Sequence, residues 1–393
     1  MNEVMSKRID VIDSMRGFAI LGILLLNISS FALLSEASME PFYKDSVPFS
    51  DVAIWSVLNI FAEGKFRFIL TLLFGVSLEL LRQRGRDGNI SRLLVLAVIG
   101  LLHGVLLWEG DILLSYGIAG LLAWYFINTR QKLFGKAVIF YLFGVVMLYL
   151  LLLSLFLMGE GNAMFQAQTA PEEIFYESDW KTHGGLWAIE HRINEIGGVM
   201  VMIIVQYGWQ IVGTMLCGAM LMRNGWLKGE FSRRHYRRLA LCLIPTGIAI
   251  QCVALSIRYL DHDNYSVLPT IFNTIPELAI PLFGLGYIAL IYGFWSAISR
   301  WRITFWLRPV GRMALSSYLL QTLICTTIFY RFGLFEQFSR LELMAFIPFI
   351  WALNIWFACW WLKRYSQGPM EKLWRSLTAK LAGLAGKVAS SKA

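Results

Sequence analysis

A few polar residues stand inside stretches of the chain that are otherwise apolar, and their spacing suits proton transfer and anion binding. Asn27 lies in LGILLLNISS, eleven residues after Arg16, which is about 16 Å along a helix at about 1.5 Å per residue. Arg16 would mark a mouth and Asn27 a deeper point, where its amide can donate to a developing oxyanion or bridge two helices. The run Glu63-Gly64-Lys65-Phe66-Arg67 puts an acid and a base four apart, able to pair on one helix face, while Gly64 permits a break. Lys65 and Arg67 would hold an anionic substrate with Glu63 as base or orienter; a structural ion network is the other reading. His103, in LLHGVLLWEGDILLSYG, has Glu109 and Asp111 within two turns. A nearby acid would fix its tautomer for general base work, or the imidazole is a satisfied core residue. In GRMALSSYLLQT, Arg312, Ser316, Ser317, Tyr318 and Gln321 recur at helical spacing and predict one polar helix face, lining a substrate path or allowing close packing. The sequence contains no HExxH and no C-x-x-C, so no metal is expected. It has no Walker loop, G-x-S-x-G or G-x-G-x-x-G either, which argues against nucleotide-driven transport and soluble hydrolase chemistry.

Those residues need a frame, and the composition indicates which. With 57% hydrophobic and only 16% charged residues, the chain falls well below the roughly one quarter charged of soluble domains. Apolar runs at 18–34, 55–81, 93–108, 112–127, 137–158, 198–222, 239–257, 275–298, 310–330 and 343–362 accommodate about ten spans of roughly 20 residues each. The expected fold is an all-α, polytopic membrane helical bundle. No small-residue cleavage site follows the first run, which reads as a retained span. Pro276 and Pro281 predict a kinked or discontinuous eighth span. Most of the 35 Lys and Arg residues fall in alternate loops and the acids in the others, which predicts cytoplasmic termini. The net charge of +9 is then a topology signal and an inner-leaflet contact, with no nucleic-acid partner. Residues 1–222 form an N-terminal bundle of six spans with an outer loop at 159–197. There Pro171 starts a helix, and Trp180 and Trp187 suit the membrane interface. Residues 223–375 form a C-terminal transmembrane domain, and 376–393 a mobile basic tail.

The segments IDSMRGFAILGILLLNISSF, KFRFILTLLFG, IGLLHGVLLWEGDILLSYGIAGLL, RNGWLKGEFSRRHYRR, GRMALSSYLLQTLICTTIFY and YSQGPMEKLWR together resemble the YeiB family of bacterial inner-membrane proteins. The resemblance covers nearly the whole chain, including that family's C-terminal domain of unknown function. Asp13-x-x-Arg16-Gly17 followed by Asn27 is also similar, more distantly, to the first span of bacterial membrane acyltransferases that modify surface polysaccharides, which carry a histidine at the Asn27 position. Heparan-α-glucosaminide N-acetyltransferase carries an asparagine there. These resemblances imply an inner-membrane location and acyl transfer. An acyl-CoA, not permanently bound, would meet Arg16, Arg82, Arg84, Arg308 or Arg312 from the cytosol, and a glycan or lipid acceptor would arrive at the outer face. The outer-loop histidine implicated in that last enzyme has no counterpart, because no histidine stands between Leu34 and Val52. His103 is the inferred substitute as general base, with Asp111 or Glu109 as orienter, Asn27 at the oxyanion, and Lys65 and Arg67 positioning the thioester or an anionic acceptor. A secondary transporter or flippase, and a non-catalytic envelope assembly partner, fit the same residues. The sharpest check on the catalytic expectation is whether Asn27, Glu63, Lys65 and His103 converge on one cavity open to the cytosol; if they face different helices and lipid, it fails.

Overall fold

The computed structural model describes residues 10–39, 47–83, 89–129, 132–158, 171–260 and 274–391. Among these residues every regular element is helical: α1 (Asp10–Ala32), α2 (Ser35–Met39), α3 (Phe49–Phe61), α4 (Lys65–Gln83), α5 (Asn89–Leu106), α6 (Leu113–Asn128), α7 (Leu133–Leu157), α8 (Pro171–His183), α9 (Gly185–Met202), α10 (Gly208–Arg223), α11 (Arg233–Leu260), α12 (Ile275–Ile298), α13 (Arg302–Arg312), α14 (Ala314–Thr326), α15 (Arg340–Leu362) and α16 (Pro369–Ser391), with short 3-10 and π segments between some of them. Seven stretches are long and apolar enough to cross a membrane, eight if the bent pair α13–α14 counts as one. The all-α, multi-pass fold is present. Two apolar runs fall short of a span by themselves: α6 has 16 residues, and α4 carries Lys65, Arg67, Glu79 and Arg82. One end of the bundle gathers Arg16, Arg82, Arg223, Arg308 and Arg312, with Arg308 paired to Asp10 at 3.1 Å and Glu79 held between Arg82 and Arg223. At the far end, Glu336 accepts from Leu34 N and Glu177 from Ser35.

Helices in this bundle break where side chains can serve the released backbone. The second run divides at residues 62–64, where Gly64 adopts a φ of 74° that a Cβ would strain. The carbonyls freed at the end of α3 are taken up at once. Asn59 O accepts from Lys65 Nζ at 2.7 Å and Gln251 Nε2 at 3.2 Å, and Phe61 O accepts from the Tyr287 hydroxyl at 3.0 Å. The ninth run divides too, α13 and α14 meeting at 93° around Met313. The single polar face expected there is therefore absent: Arg312 ends α13, whereas Ser316, Ser317, Tyr318 and Gln321 lie on α14. The cause is Glu371 of α16, which accepts from Leu315 N at 2.9 Å and Ser316 N at 3.2 Å and so caps α14 at the positive end of its dipole.

Other expectations also shift. α12 is one continuous helix, with Pro276 in its first turn, where a missing N–H costs nothing. The Glu277 carbonyl that Pro281 cannot serve accepts instead from the Tyr141 hydroxyl at 2.7 Å. α9 starts at Gly185 and continues through a π segment, Ile203–Tyr207, into α10, which replaces part of the expected outer loop with a helical stretch of 39 residues. Trp180 is buried against the His191 ring, 4.2 Å between centroids, rather than lying on an interface. The segment after Arg375 is helical as far as Ser391.

Glycines set the helix crossings. A Cβ on Gly311 would stand 1.8 Å from Asp13 O and one on Gly17 2.1 Å from Leu307 O, so α1 and α13 touch backbone to backbone. Gly218 and Gly75 do the same for α4 and α10, each 2.0 Å from a carbonyl oxygen of the other helix. Such contacts suit a bilayer, where close van der Waals packing rather than hydrophobic exclusion drives helix association. Gly218→Ala and Gly311→Ala should each destabilise the detergent-solubilised protein by about 1–3 kcal/mol, the usual cost of overpacking. Gly135→Ala, where a Cβ meets nothing within 4 Å, should be neutral or stabilising. Equal melting temperatures for all three would overturn this account of the crossings.

Candidate functional site

His103 is buried near the far end of α5. Its Nδ1 lies 2.8 Å from Asp111 Oδ1 and its Nε2 3.1 Å from Thr322 Oγ1. The other oxygen of Asp111 accepts from Leu114 N at 2.7 Å, which fixes the carboxylate at the start of α6. A carboxylate only accepts, so the imidazole proton belongs on Nδ1 and Nε2 faces the Thr322 hydroxyl as acceptor. Hydroxyl, imidazole and carboxylate thus stand in the order of a general-base relay. Tyr318 flanks the imidazole, with ring centroids 5.4 Å apart, and its hydroxyl donates to Gly110 O at 3.4 Å.

Two chambers approach this pair from opposite ends of the bundle. The chamber at the basic end, about 250 Å³, is lined by Arg16, Arg92, Arg312 and Glu371, with Ile112, Tyr116 and Tyr318 deeper in. The far chamber, about 610 Å³, is lined by Asn27, Asn59, Glu63, Arg67, Trp108 and Glu109 among others. Ile112 is common to both linings, so at that point one side chain separates them. The same loop closes the wall elsewhere: Gly110 faces the far chamber, and its carbonyl is held by Tyr318, which faces the basic one. A side chamber of about 260 Å³ opens off the far one and shares Trp55, Asn59, Glu63, Arg67 and Arg258 with it.

The expected site residues are distributed over these spaces and do not converge on one cavity. Asn27, Glu63 and Arg67 share the far chamber, which opens away from the basic end. Lys65 reaches the side chamber only. It is fully buried, and its ammonium is used on the Asn59 carbonyl at the end of α3. Glu63 and Arg67 do not pair, because the break at Gly64 takes Glu63 off the helix; Glu63 accepts from Asn59 Nδ2 instead. His103 and Asp111 lie behind the wall. Asp111, not Glu109, is the acid bonded to His103, while Glu109 stands 3.7 Å from both Lys181 and Arg192. Arg16 and Arg312 line the basic chamber, Arg16 held at 3.3 Å by Asp13, Gly311 O and Ser77. Arg82 and Arg308 are used in ion pairs outside it, and Arg84 lies outside the described residues. Gln321 donates to Ile20 O at 3.1 Å and ties α14 to α1. Residues that the sequence reading passed over include Arg92, Arg258, Thr322 and Glu371. Thr322 ends the quoted polar run and was within reach; Glu371 joins the site only through the fold. Among the described residues, no group of three His, Cys, Asp or Glu is placed to hold a metal ion.

Apolar helices of spanning length around two opposed chambers that carry charged residues define a multi-pass membrane protein. The chain belongs to the YeiB family. It is 43% identical over 375 residues, covering 95% of this chain and 96% of the relative, to the uncharacterized protein YeiB of Escherichia coli (strain K12). It is also similar to the uncharacterized protein YxaH of Bacillus subtilis (strain 168), 27% identical over 405 residues, covering 95% of this chain and 94% of the relative. Residues 221–380 match the family model DUF418, described as a protein of unknown function. No solved structure matches the chain significantly.

A clasp holds α8 against the turn after α1, beside the far chamber. Glu177 accepts from Ser35 N at 3.0 Å and Ser35 Oγ at 2.6 Å, and lies 2.7 Å from Lys181 Nζ, which is itself buried. Burial opposes the charge of Glu177, but the Lys181 ammonium and the Ser35 hydrogen bonds outweigh it and hold the carboxyl below the ordinary glutamate value of 4.5. A carboxyl held lower when folded contributes stability above that ordinary value and loses it as pH falls through the lowered one. Hydrogen exchange in residues 171–183 should therefore be slow at pH 7 and accelerate selectively below about 4, allowing for the change in intrinsic exchange rate. Glu177→Gln should exchange fast at pH 7 and lose the pH dependence. Equal protection of this variant and the wild type at pH 7 would remove the clasp.

Proposed function

We propose that the protein is a transmembrane acyltransferase that moves an acyl group from a cytosolic acyl-CoA to an acceptor hydroxyl or amine on the other side of the membrane. The observation that carries this reading is the pair of opposed chambers, one bordered by arginines and one by Asn27, Glu63 and Arg67, which meet at Ile112 with the His103–Asp111 pair buried beside that point. The basic end would face the cytosol of the inner membrane, as the Lys/Arg pattern predicts. Arg16, Arg92 and Arg312 would meet the donor's phosphates by charge-assisted hydrogen bonds. At about 250 Å³ the basic chamber lies below the about 300–1,000 Å³ of sites that enclose a drug-sized ligand, so it suits a thin pantetheine arm with the nucleotide left outside. The far chamber falls within that range and would take the acceptor.

In the transfer step the acceptor attacks the thioester carbonyl at the wall, and its proton passes to His103 Nε2 as Thr322 gives way. Asp111 stabilises the imidazolium, Asn27 donates to the oxyanion, and the CoA thiolate leaves toward the basic end, where it regains a proton. The first-span resemblance, with Arg16 and Asn27 in matching places, supports the same assignment. His103→Ala should lower transfer of labelled acetyl from acetyl-CoA to membrane glycans and lipids at least about 100-fold while leaving acetyl-CoA binding intact. Arg16→Ala or Arg312→Ala should instead weaken acetyl-CoA binding about tenfold, the effect of about 1.4 kcal/mol. Purified protein that binds no acyl-CoA, together with unchanged surface acylation in a deletion strain, would sink the proposal.

The two-sided chambers and the broken α3–α4 segment favour one other reading, a secondary transporter with its site at discontinuous helices. It requires solute counterflow in proteoliposomes without acyl consumption.

A further inference from the structure

The cations inside this bundle have assigned work, with one exception. Lys65 caps the end of α3. Arg16 holds Asp13 and Gly311 O, and Arg82 and Arg223 share Glu79. Lys181 and Arg192 face Glu109, and Arg340 donates to Ala37 O. Arg67 stands apart. Among the described residues its guanidinium makes no ion pair and donates no hydrogen bond. Its guanidinium lies over the Tyr207 ring, 4.7 Å from the guanidinium carbon to the centroid.

Of the neighbouring carboxylates, Glu277 attracts Arg67 across the gap between them without an ion pair or hydrogen bond, and neither it nor Glu63 occupies the guanidinium fork. Glu63 accepts from Asn59 Nδ2, and Glu277 from Gln210 Nε2 at 3.1 Å. A charge within a membrane bundle is expensive unless it faces a partner or a polar cavity. Arg67 faces such space on several sides, since it lines both the far chamber and the side chamber. A ring contact covers the face of a guanidinium and does not occupy its N–H fork, which matches the paired oxygens of phosphate and carboxylate.

We infer that Arg67 is an anion-binding residue, and that the acceptor drawn into the far chamber carries an oxyanion, a phosphate or a carboxylate, which the Arg67 fork grips. This rests on the acyltransferase reading only for the word acceptor; the anion site itself does not depend on it. The anion places the acceptor in the chamber that also holds Asn27, with the wall at Gly110 and Ile112 closing its inner side. Two sources supply this chemistry. A free solute would fill the far chamber alone, whereas a lipid headgroup would extend into the side chamber, whose lining adds Ala254, Leu255 and Ile280 to the charged rim.

The test uses the full chain purified in a neutral detergent. Thermal shift and titration calorimetry are run with inorganic phosphate, dihexanoyl phosphatidylglycerol and, as the uncharged control, dihexanoyl phosphatidylcholine. The wild type should bind at least one anionic probe and not the control. Binding of inorganic phosphate identifies a free anion as sufficient; binding of the phosphatidylglycerol alone identifies a lipid headgroup. Arg67→Gln should lose at least tenfold in affinity for that probe. Arg67→Lys, which keeps the charge and much of the packing but not the fork, should lose several-fold and serves if the glutamine variant does not fold. An affinity unchanged in both variants, or a wild type that binds neither anionic probe, overturns the inference. Acetyl-CoA binding in the same samples separates the two proposals. Failure of the acyltransferase reading removes acetyl-CoA binding and leaves the Arg67-dependent affinity; failure of the present inference does the reverse.

Discussion

Backbone that leaves a helix within a bilayer finds no water to bond, so each break must be served by other parts of the protein. That constraint organises this molecule. The end of α3 is served by Lys65, Gln251 and Tyr287, the gap at Pro281 by Tyr141, and the start of α14 by Glu371. Each server comes from another element, so each break binds helices together as well as interrupting one. Leaving one such buried group unserved costs about 1–3 kcal/mol, a large share of the marginal stability of any domain. The chambers lie beside these breaks: the α3–α4 turn borders the far and side chambers, and the α13–α14 bend borders the basic one.

The same accounting separates polar residues that hold the frame from those left for chemistry. Lys65, Glu371 and Gln321 are spent on backbone groups. Asp111 has one oxygen on the backbone and one on His103, which makes it part of both sets. Asn27 and Arg67 border open volume on the far side; on the basic side Arg16, Arg92 and Arg312 border it too, while also making contacts within the frame.

How much of this was legible in the sequence follows from the range of the interactions involved. The apolar runs became helices because a segment's hydropathy is local information. Gly64 announced its break for the same reason: the need for positive φ is written in one residue. The bend at Met313 was not announced, since GRMALSSY contains no proline and its one glycine precedes the turn. The bend is set by Glu371, fifty-five residues downstream of Ser316. The expected Glu63–Arg67 pair failed by the same route, as a helical spacing argument holds only where the helix is unbroken. His103 and Asp111 were legible as a pair because eight residues and one tight loop bring them together. Their burial behind the wall was not, since that wall is made by the loop between α5 and α6 together with α14.

The thinness of that wall has an electrical consequence. A membrane potential falls mainly across its least polar layer. If ions and water enter the two chambers, most of the drop is compressed onto the few ångströms around Ile112 instead of the about 30 Å of hydrocarbon. A full charge crossing the membrane exchanges about 2.3 kcal/mol with each 100 mV. Any proton that crosses this layer would therefore do so in a focused field, and the wall would work as the dielectric of a capacitor as much as a partition.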